Sequence, residues 1–240
     1  MDAKKFRIKL FGDGADLKAM EDLYNKGIVR GFTTNPTLMR NAGVTDYEAF
    51  ARSALEVIPD APISFEVFSD DMQTMEKEAR KISSWGKNVY VKIPVSTTSG
   101  ESTAPLIKKL SHDGLKLNIT AILTLKQVKD VAKALSQSTP SIVSVFAGRI
   151  ADTGRDPVPT MVSAREVLKP NKNAELLWAS SREVLNIMQA EAIGCHIITV
   201  TNELLKKLDN MYGKDLDELS LDTVKMFYND AKSVGYSIIQ

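Results

Sequence analysis

The stretch Asn88-Val-Tyr-Val-Lys-Ile-Pro-Val95 alternates two chemistries at a spacing of two. Successive residues of a strand point to opposite faces, so Val89, Val91 and Ile93 share one side while Tyr90, Lys92 and Pro94 share the other. The first set is wholly apolar. The second carries a lysine at its centre, where an ammonium group is costly to desolvate unless it is paired or neutral. Two readings fit that position: an edge-strand lysine whose stem snorkels to water, and an amine kept nucleophilic by burial. An amphipathic helical pattern follows at 103–110, which makes the segment one βα unit.

The unit recurs in both directions. β-rich runs at 7–11, 28–33, 63–68, 88–95, 115–119, 141–146, 175–179 and 196–200 alternate with helical patterns at 17–25, 47–57, 72–85, 103–110, 125–135, 160–168 and 182–192. Strands alternating with helices imply a parallel α/β arrangement, and eight of them favour a closed (β/α)8 TIM barrel over an open sheet. A chain of 240 residues without a Pro/Gly/Ser-rich linker or charge block reads as a single domain, 1–240. Stretches 204–208 and 221–234 read as terminal helices, giving an additional C-terminal helical extension over about residues 209–240. Leu221, Val224, Tyr228 and Ala231 share one face, so the last helix must pack on something, either the barrel or a neighbouring subunit.

Composition narrows the function. A formal net charge of +1 gives no electrostatic case for nucleic acid or an anionic membrane. No apolar run reaches the roughly 18 residues of a membrane span, and the basic stretch 1–10 lacks the apolar core of a signal peptide. The expectation is a cytoplasmic protein. The lone Cys195 excludes an internal disulfide, and two histidines, His112 and His196, are too few for a zinc aldolase centre. No glycine-rich nucleotide loop is present, so no metal and no cofactor are expected.

In this barrel type, chemistry gathers where strands meet the loops that follow them. Polar residues collect there: Asp13 between Gly12 and Gly14; Asn35 before Pro36; Glu66 on a face with Ser64 and Phe68; Asn118 with Thr120; Ser144 with Phe146, followed by Arg149; and Ser180 with Arg182. Singly, each is as readily a solvated strand end, a turn residue or a helix cap. Six such ends converging on one mouth favour a site.

These residues resemble the transaldolase family, in its small bacterial-type, fructose-6-phosphate aldolase-like branch. The resemblance is carried in order by Gly31-Phe-Thr-Thr-Asn-Pro-Thr37, Val91-Lys-Ile-Pro94, Asn118-Ile-Thr-Ala121, Phe146-Ala-Gly-Arg-Ile150 with Asp152, and Ala179-Ser-Ser-Arg182. It implies a transferase of the pentose phosphate pathway in which Lys92 forms a Schiff base with a ketose phosphate and Asp13 moves the proton of the cleaved hydroxyl. It implies further that Glu66 and Thr120 position water for dehydration and hydrolysis. Asn35, Asn118 and Ser144 would hold the three-carbon unit beside Phe146, and Arg149, Arg182 and Ser180 the phosphate. The small branch also implies a homo-oligomer.

Two departures from the family pattern stand out: the glycines flanking Asp13, and a longer loop at 95–101 lined by Thr97, Thr98 and Ser99. Two rival readings remain. One is an aldolase releasing free dihydroxyacetone, whose branch resembles Gln at position 66 and Tyr at 146. The other is a non-catalytic barrel that only binds a sugar phosphate, for which the set Lys92, Asp13, Glu66 and Thr120 would be superfluous.

Overall fold

Eight parallel strands close on themselves in chain order: β1 Lys9–Asp13, β2 Phe32–Thr33, β3 Ile63–Glu66, β4 Val89–Pro94, β5 Leu117–Ile122, β6 Ser141–Val145, β7 Ala174–Trp178 and β8 Ile197–Thr201, with β1 pairing β8. The structure is a computed structural model that describes residues 6–239; the start of the basic stretch 1–10 lies outside the described residues. Between and after the strands run α1 Leu17–Asn25, α2 Pro36–Asn41, α3 Tyr47–Val57, α4 Met72–Ser83, α5 Ala104–His112, α6 Leu125–Ala134, α7 Ala147–Asp152, α8 Val158–Leu168, α9 Val184–Ala192, α10 Asn202–Met211 and α11 Leu216–Ser233.

Local chemistry sets where the helices begin. Asp16, Asn35, Asp46, Asp71, Thr124, Thr201 and Asp215 each accept a backbone N–H of the first turn. Such a cap is worth about 1 kcal/mol over alanine. The apolar faces of the strands, Val89, Val91 and Ile93 among them, pack under the helices in one continuous core. The opposite faces point into the barrel. There Phe11, Ile142, Leu177, Ala179 and Ile197 form a separate small cluster with Tyr90 and Phe146 against it. This plug fills the lower barrel and leaves the upper layer to polar side chains.

Several boundaries differ from the sequence reading, each for a local reason. β2 is two residues rather than 28–33, because Asn35 and Pro36 open α2 at once. β3 stops at Glu66 rather than Phe68, because the Phe68 and Ser69 amides turn to Glu78 Oε2 at 2.9 and 3.0 Å. β5 runs to Ile122 past an irregularity, with Ala121 at φ 61°. The last helix starts at Leu216, not 221, and buries none of its residues. Leu221, Val224 and Tyr228 stay exposed, so the apolar face expected to pack finds no cover among the described residues.

Candidate active site

At the C-terminal mouth, strand register decides which polar residues meet. Glu66 on β3 lies opposite Lys92, and Lys92 opposite Asn118 on β5. Lys92 is 6% exposed, which removes the snorkelling alternative. Its Nζ donates to the Thr34 carbonyl at 2.7 Å and lies 3.2 Å from Glu66 Oε2. These two acceptors offset part of the cost of burying the lysine side chain.

Across the strand, Asn118 Nδ2 donates to Ser64 Oγ at 3.0 Å, and Ser144 Oγ donates to Asn118 Oδ1 at 2.6 Å. The chain Ser64–Asn118–Ser144 ties β3, β5 and β6 into a rigid polar floor beside the amine. Thr120 is buried, opposite Pro94 and one inward step above Asn118. The structure brings Lys92, Glu66, Asn118 and Ser144 together, with Thr120 one step above them.

Asp13 ends β1 near enough for the Lys92 charge to act on it. Thr33 Oγ1 donates to its Oδ1 at 2.8 Å, and Thr33 is itself hydrogen-bonded to Thr199 Oγ1. Burial raises the Asp13 carboxyl above its usual range, against the downward pull of the Lys92 charge and the Thr33 hydroxyl. Gly12 has a packing cause: a Cβ there would stand 2.9 Å from the Phe32 ring. Nothing crowds Gly14. The aspartate is therefore held by Thr33 despite its flanking glycines.

Asn35 serves as the α2 cap, its Oδ1 accepting the Leu38 amide at 2.9 Å, which leaves its NH2 for a ligand. The expected phosphate residues lie around the rim. Arg182 makes a two-point pair with Asp152, at 3.2 and 2.6 Å, with both side chains about half exposed. Arg149 rests 5.3 Å over the Phe146 ring. Ser180 takes φ 63°, and its carbonyl occupies the space a Cβ of Gly148 would need, only 1.5 Å away. Only glycine at 148 lets the β6 and β7 loops touch. The extended loop after β4 is a small hairpin closed by a Ser96–Ser102 bridge; Asp70 takes the Thr98 amide at 2.7 Å and its hydroxyl at 2.5 Å.

The sequence reading missed four participants: Thr33, the Thr34 carbonyl, Ser64 as an Asn118 partner, and Tyr47, whose hydroxyl bonds both backbone groups of Glu66. The two threonines sit inside a quoted motif, but a backbone acceptor leaves no side-chain signature. At the far end of the barrel lie Cys195 and His196. Cys195 is buried, its Sγ donating to the Leu176 carbonyl and its thiol pushed up to about 12 by burial. His196 Nδ1 accepts the Leu176 amide at 3.0 Å. Among the described residues, no cluster of three metal-ligating side chains exists, and no helix is long and apolar enough to cross a membrane.

A parallel eight-stranded barrel with a buried amine, two carboxylates and two rim arginines at its C-terminal mouth has the architecture of a (β/α)8-barrel enzyme. The chain belongs to the transaldolase/fructose-6-phosphate aldolase family, whose profile matches residues 10–238. A "Probable transaldolase" of Streptococcus pyogenes serotype M5 (strain Manfredo) is 33% identical over 202 residues, covering 84% of this chain and 90% of that protein. One of Streptococcus equi subsp. zooepidemicus (strain MGCS10565) matches to the same extent. The fold is also similar to a crystal structure of a candidate lyase/mutase from Burkholderia cenocepacia J2315, with a TM-score of 0.60, 11% identity, and 95% and 85% of the two chains covered. At that identity the likeness concerns the fold alone.

Proposed function

We propose that this chain is a transaldolase that moves a dihydroxyacetone unit from a ketose phosphate to an aldose phosphate through a Schiff base on Lys92. The donor is sedoheptulose 7-phosphate or fructose 6-phosphate; the acceptor is glyceraldehyde 3-phosphate or erythrose 4-phosphate, placing the reaction in the pentose phosphate pathway. The observation that carries the reading is a lysine buried in an apolar strand with its nitrogen 3.2 Å from Glu66 Oε2.

In this mechanism the neutral Lys92 amine adds to the C2 carbonyl, and Glu66, with Thr120, passes the protons that release water and leave an iminium. Asp13 takes the C4 hydroxyl proton. The C3–C4 electrons move into the iminium, an aldose phosphate departs, and an enamine remains on Lys92. The enamine C3 then adds to the second aldehyde, whose oxygen recovers the proton from Asp13. Water, positioned by Glu66, frees the new ketose. Asn35, Asn118 and Ser144 hold the hydroxyls of the three-carbon unit, and Arg149, Arg182 and Ser180 the phosphate. No step calls for a metal or an organic cofactor.

Glu66 and Phe146 favour transfer over release of free dihydroxyacetone. Phe146 packs against the apolar interior cluster and offers no hydroxyl to protonate the enamine. A coupled assay with fructose 6-phosphate, with and without erythrose 4-phosphate, tests the reading. Turnover should need the acceptor, and Phe146→Tyr should raise release and lower transfer. Equal turnover without acceptor would mark an aldolase, and no turnover in either arm a binding barrel.

The partners in this reading are sugar phosphates and further copies of the chain, in the cytoplasm, with no role for nucleic acid or membrane. The exposed Leu221, Val224, Phe227 and Tyr228 of α11 support a homo-oligomer.

A further inference from the structure

The ladder between β2 and β3 breaks one rung below the mouth, and the break is filled by a side chain from another helix. Phe32 N–H donates to the Pro62 carbonyl at 2.8 Å and Thr34 N–H to the Ser64 carbonyl at 3.3 Å. Parallel pairing continued by two residues would bring the Glu66 N–H to the Thr34 carbonyl, and the Glu66 carbonyl to the N–H of residue 36. Residue 36 is proline and has no N–H. The Thr34 carbonyl is taken by Lys92 Nζ at 2.7 Å. Both backbone groups of Glu66 turn instead to one atom: its N–H donates to the Tyr47 hydroxyl at 2.7 Å, and that hydroxyl donates to its carbonyl at 2.9 Å.

We propose that Tyr47 is a positioning residue for the Lys92 chemistry: its hydroxyl stands in for the missing rung, keeping the Thr34 carbonyl free for the lysine nitrogen and Glu66 in register beside it. The inference rests on the Schiff-base reading above. Tyr47 is suited to the task because its ring is fixed by contacts of 6.2, 4.5 and 5.7 Å between ring centroids with Phe65, Phe68 and Trp85. Its one donor and one acceptor match the two orphaned groups. Burial and the neighbouring carboxylates raise its pKa, so the hydroxyl keeps the proton that it donates. Without that oxygen, the Glu66 N–H has the Thr34 carbonyl as its ladder acceptor, in competition with Lys92. The nitrogen would then lose one of the two acceptors that orient it for addition to a carbonyl and for the return hydrolysis.

Tyr47→Phe, which keeps the ring and removes the oxygen, tests this against Trp85→Phe, which disturbs the same aromatic cluster and leaves the rung intact. Steady-state kinetics should show kcat down at least about tenfold in Tyr47→Phe with KM within about twofold, and kcat kept in Trp85→Phe at a similar loss of Tm. Wild-type kcat in Tyr47→Phe, or an equal fall in both variants, overturns the proposal. Should Tyr47→Phe prove too unstable to assay, 4-aminophenylalanine at 47 keeps the donor and is a poor acceptor. It should still show the lowered kcat, and wild-type kcat there overturns the proposal too. A crystal structure of the Tyr47 variant serves as the arm that needs no turnover: the Glu66 amide should close on the Thr34 carbonyl and Lys92 should leave it. An unchanged Lys92–Thr34 contact overturns the inference even if wild-type inactivity has already removed the Schiff-base reading.

Discussion

Lys92 and Glu66 stand in register on adjacent strands, the lysine Nζ 3.2 Å from the carboxylate and both largely withdrawn from water. Each makes the other tolerable: alone, either charge would face the desolvation cost of the barrel interior. Lys92→Met should therefore cost stability, because it leaves the Glu66 carboxylate without its buried partner. It should remove activity by at least about 10³-fold and abolish the three-carbon adduct trapped by borohydride with fructose 6-phosphate. Peptide mapping of the trapped protein checks the site, and an adduct on another lysine would contradict the mechanism. Excess EDTA should leave the wild-type rate unchanged.

Asp13 has a carboxyl raised by burial. Between its unfolded and folded pKa values, the folded state binds more protons than the unfolded one, so stability falls as pH rises through that window. The ionised form that accepts a proton in catalysis is thus the form that costs stability. Asp13→Asn should lower kcat by about 10²–10⁴-fold, the range of general base catalysis. Its Tm at neutral pH should be no lower than wild type. The acid limb of the wild-type pH–rate profile should lie above the ordinary carboxylate range and disappear in the variant.

The two rim arginines differ in their present partners. Arg149 lies over an aromatic ring, while Arg182 is paired with Asp152. Each change to alanine should weaken phosphorylated substrates by about 1.5–3 kcal/mol, the scale of hydrogen bonds to charged groups. Unphosphorylated sugars should be nearly indifferent. In Arg182→Ala the freed Asp152 adds repulsion, so Arg182→Ala/Asp152→Ala should recover part of the loss. Affinities for substrate pairs with and without the phosphate decide the matter, and equal weakening of both kinds would remove the assignment.

His196 carries a different consequence, at the opposite end. Its pKa is lowered, chiefly by burial, and its Nδ1 must stay unprotonated to accept the Leu176 amide. The folded state therefore binds fewer protons than the unfolded one below the unfolded value of about 6.5. The stability this bond gives is full above that value and is lost as pH falls below it. Urea unfolding at pH 7.5 and pH 5 should show wild type losing about 1 kcal/mol more than His196→Asn, the worth of one hydrogen bond. Parallel losses in the two proteins would refute it.

The alternation around Lys92 and the repeated βα units were enough to favour the barrel over an open sheet, because side-chain period and helix period are local properties of the chain; closure itself is the pairing of β1 with β8. The same alternation indicated which residues share a face, so Asp13, Glu66, Lys92, Asn118, Thr120 and Ser144 were legible as polar strand ends converging on one mouth. Local reading failed where irregular backbone replaced the period, at Pro36, Phe68 and Ala121, and at α11, whose apolar face the described residues leave uncovered. The tertiary structure alone decided that Thr33 holds Asp13, that Arg182 rests on Asp152, and that Lys92 leans on the Thr34 carbonyl. It alone brought the Tyr47 hydroxyl to Glu66, 19 residues away in sequence. The physical reason is that a missing ladder rung must be satisfied by whatever donor and acceptor the packed helices bring near, and no sequence period encodes that meeting.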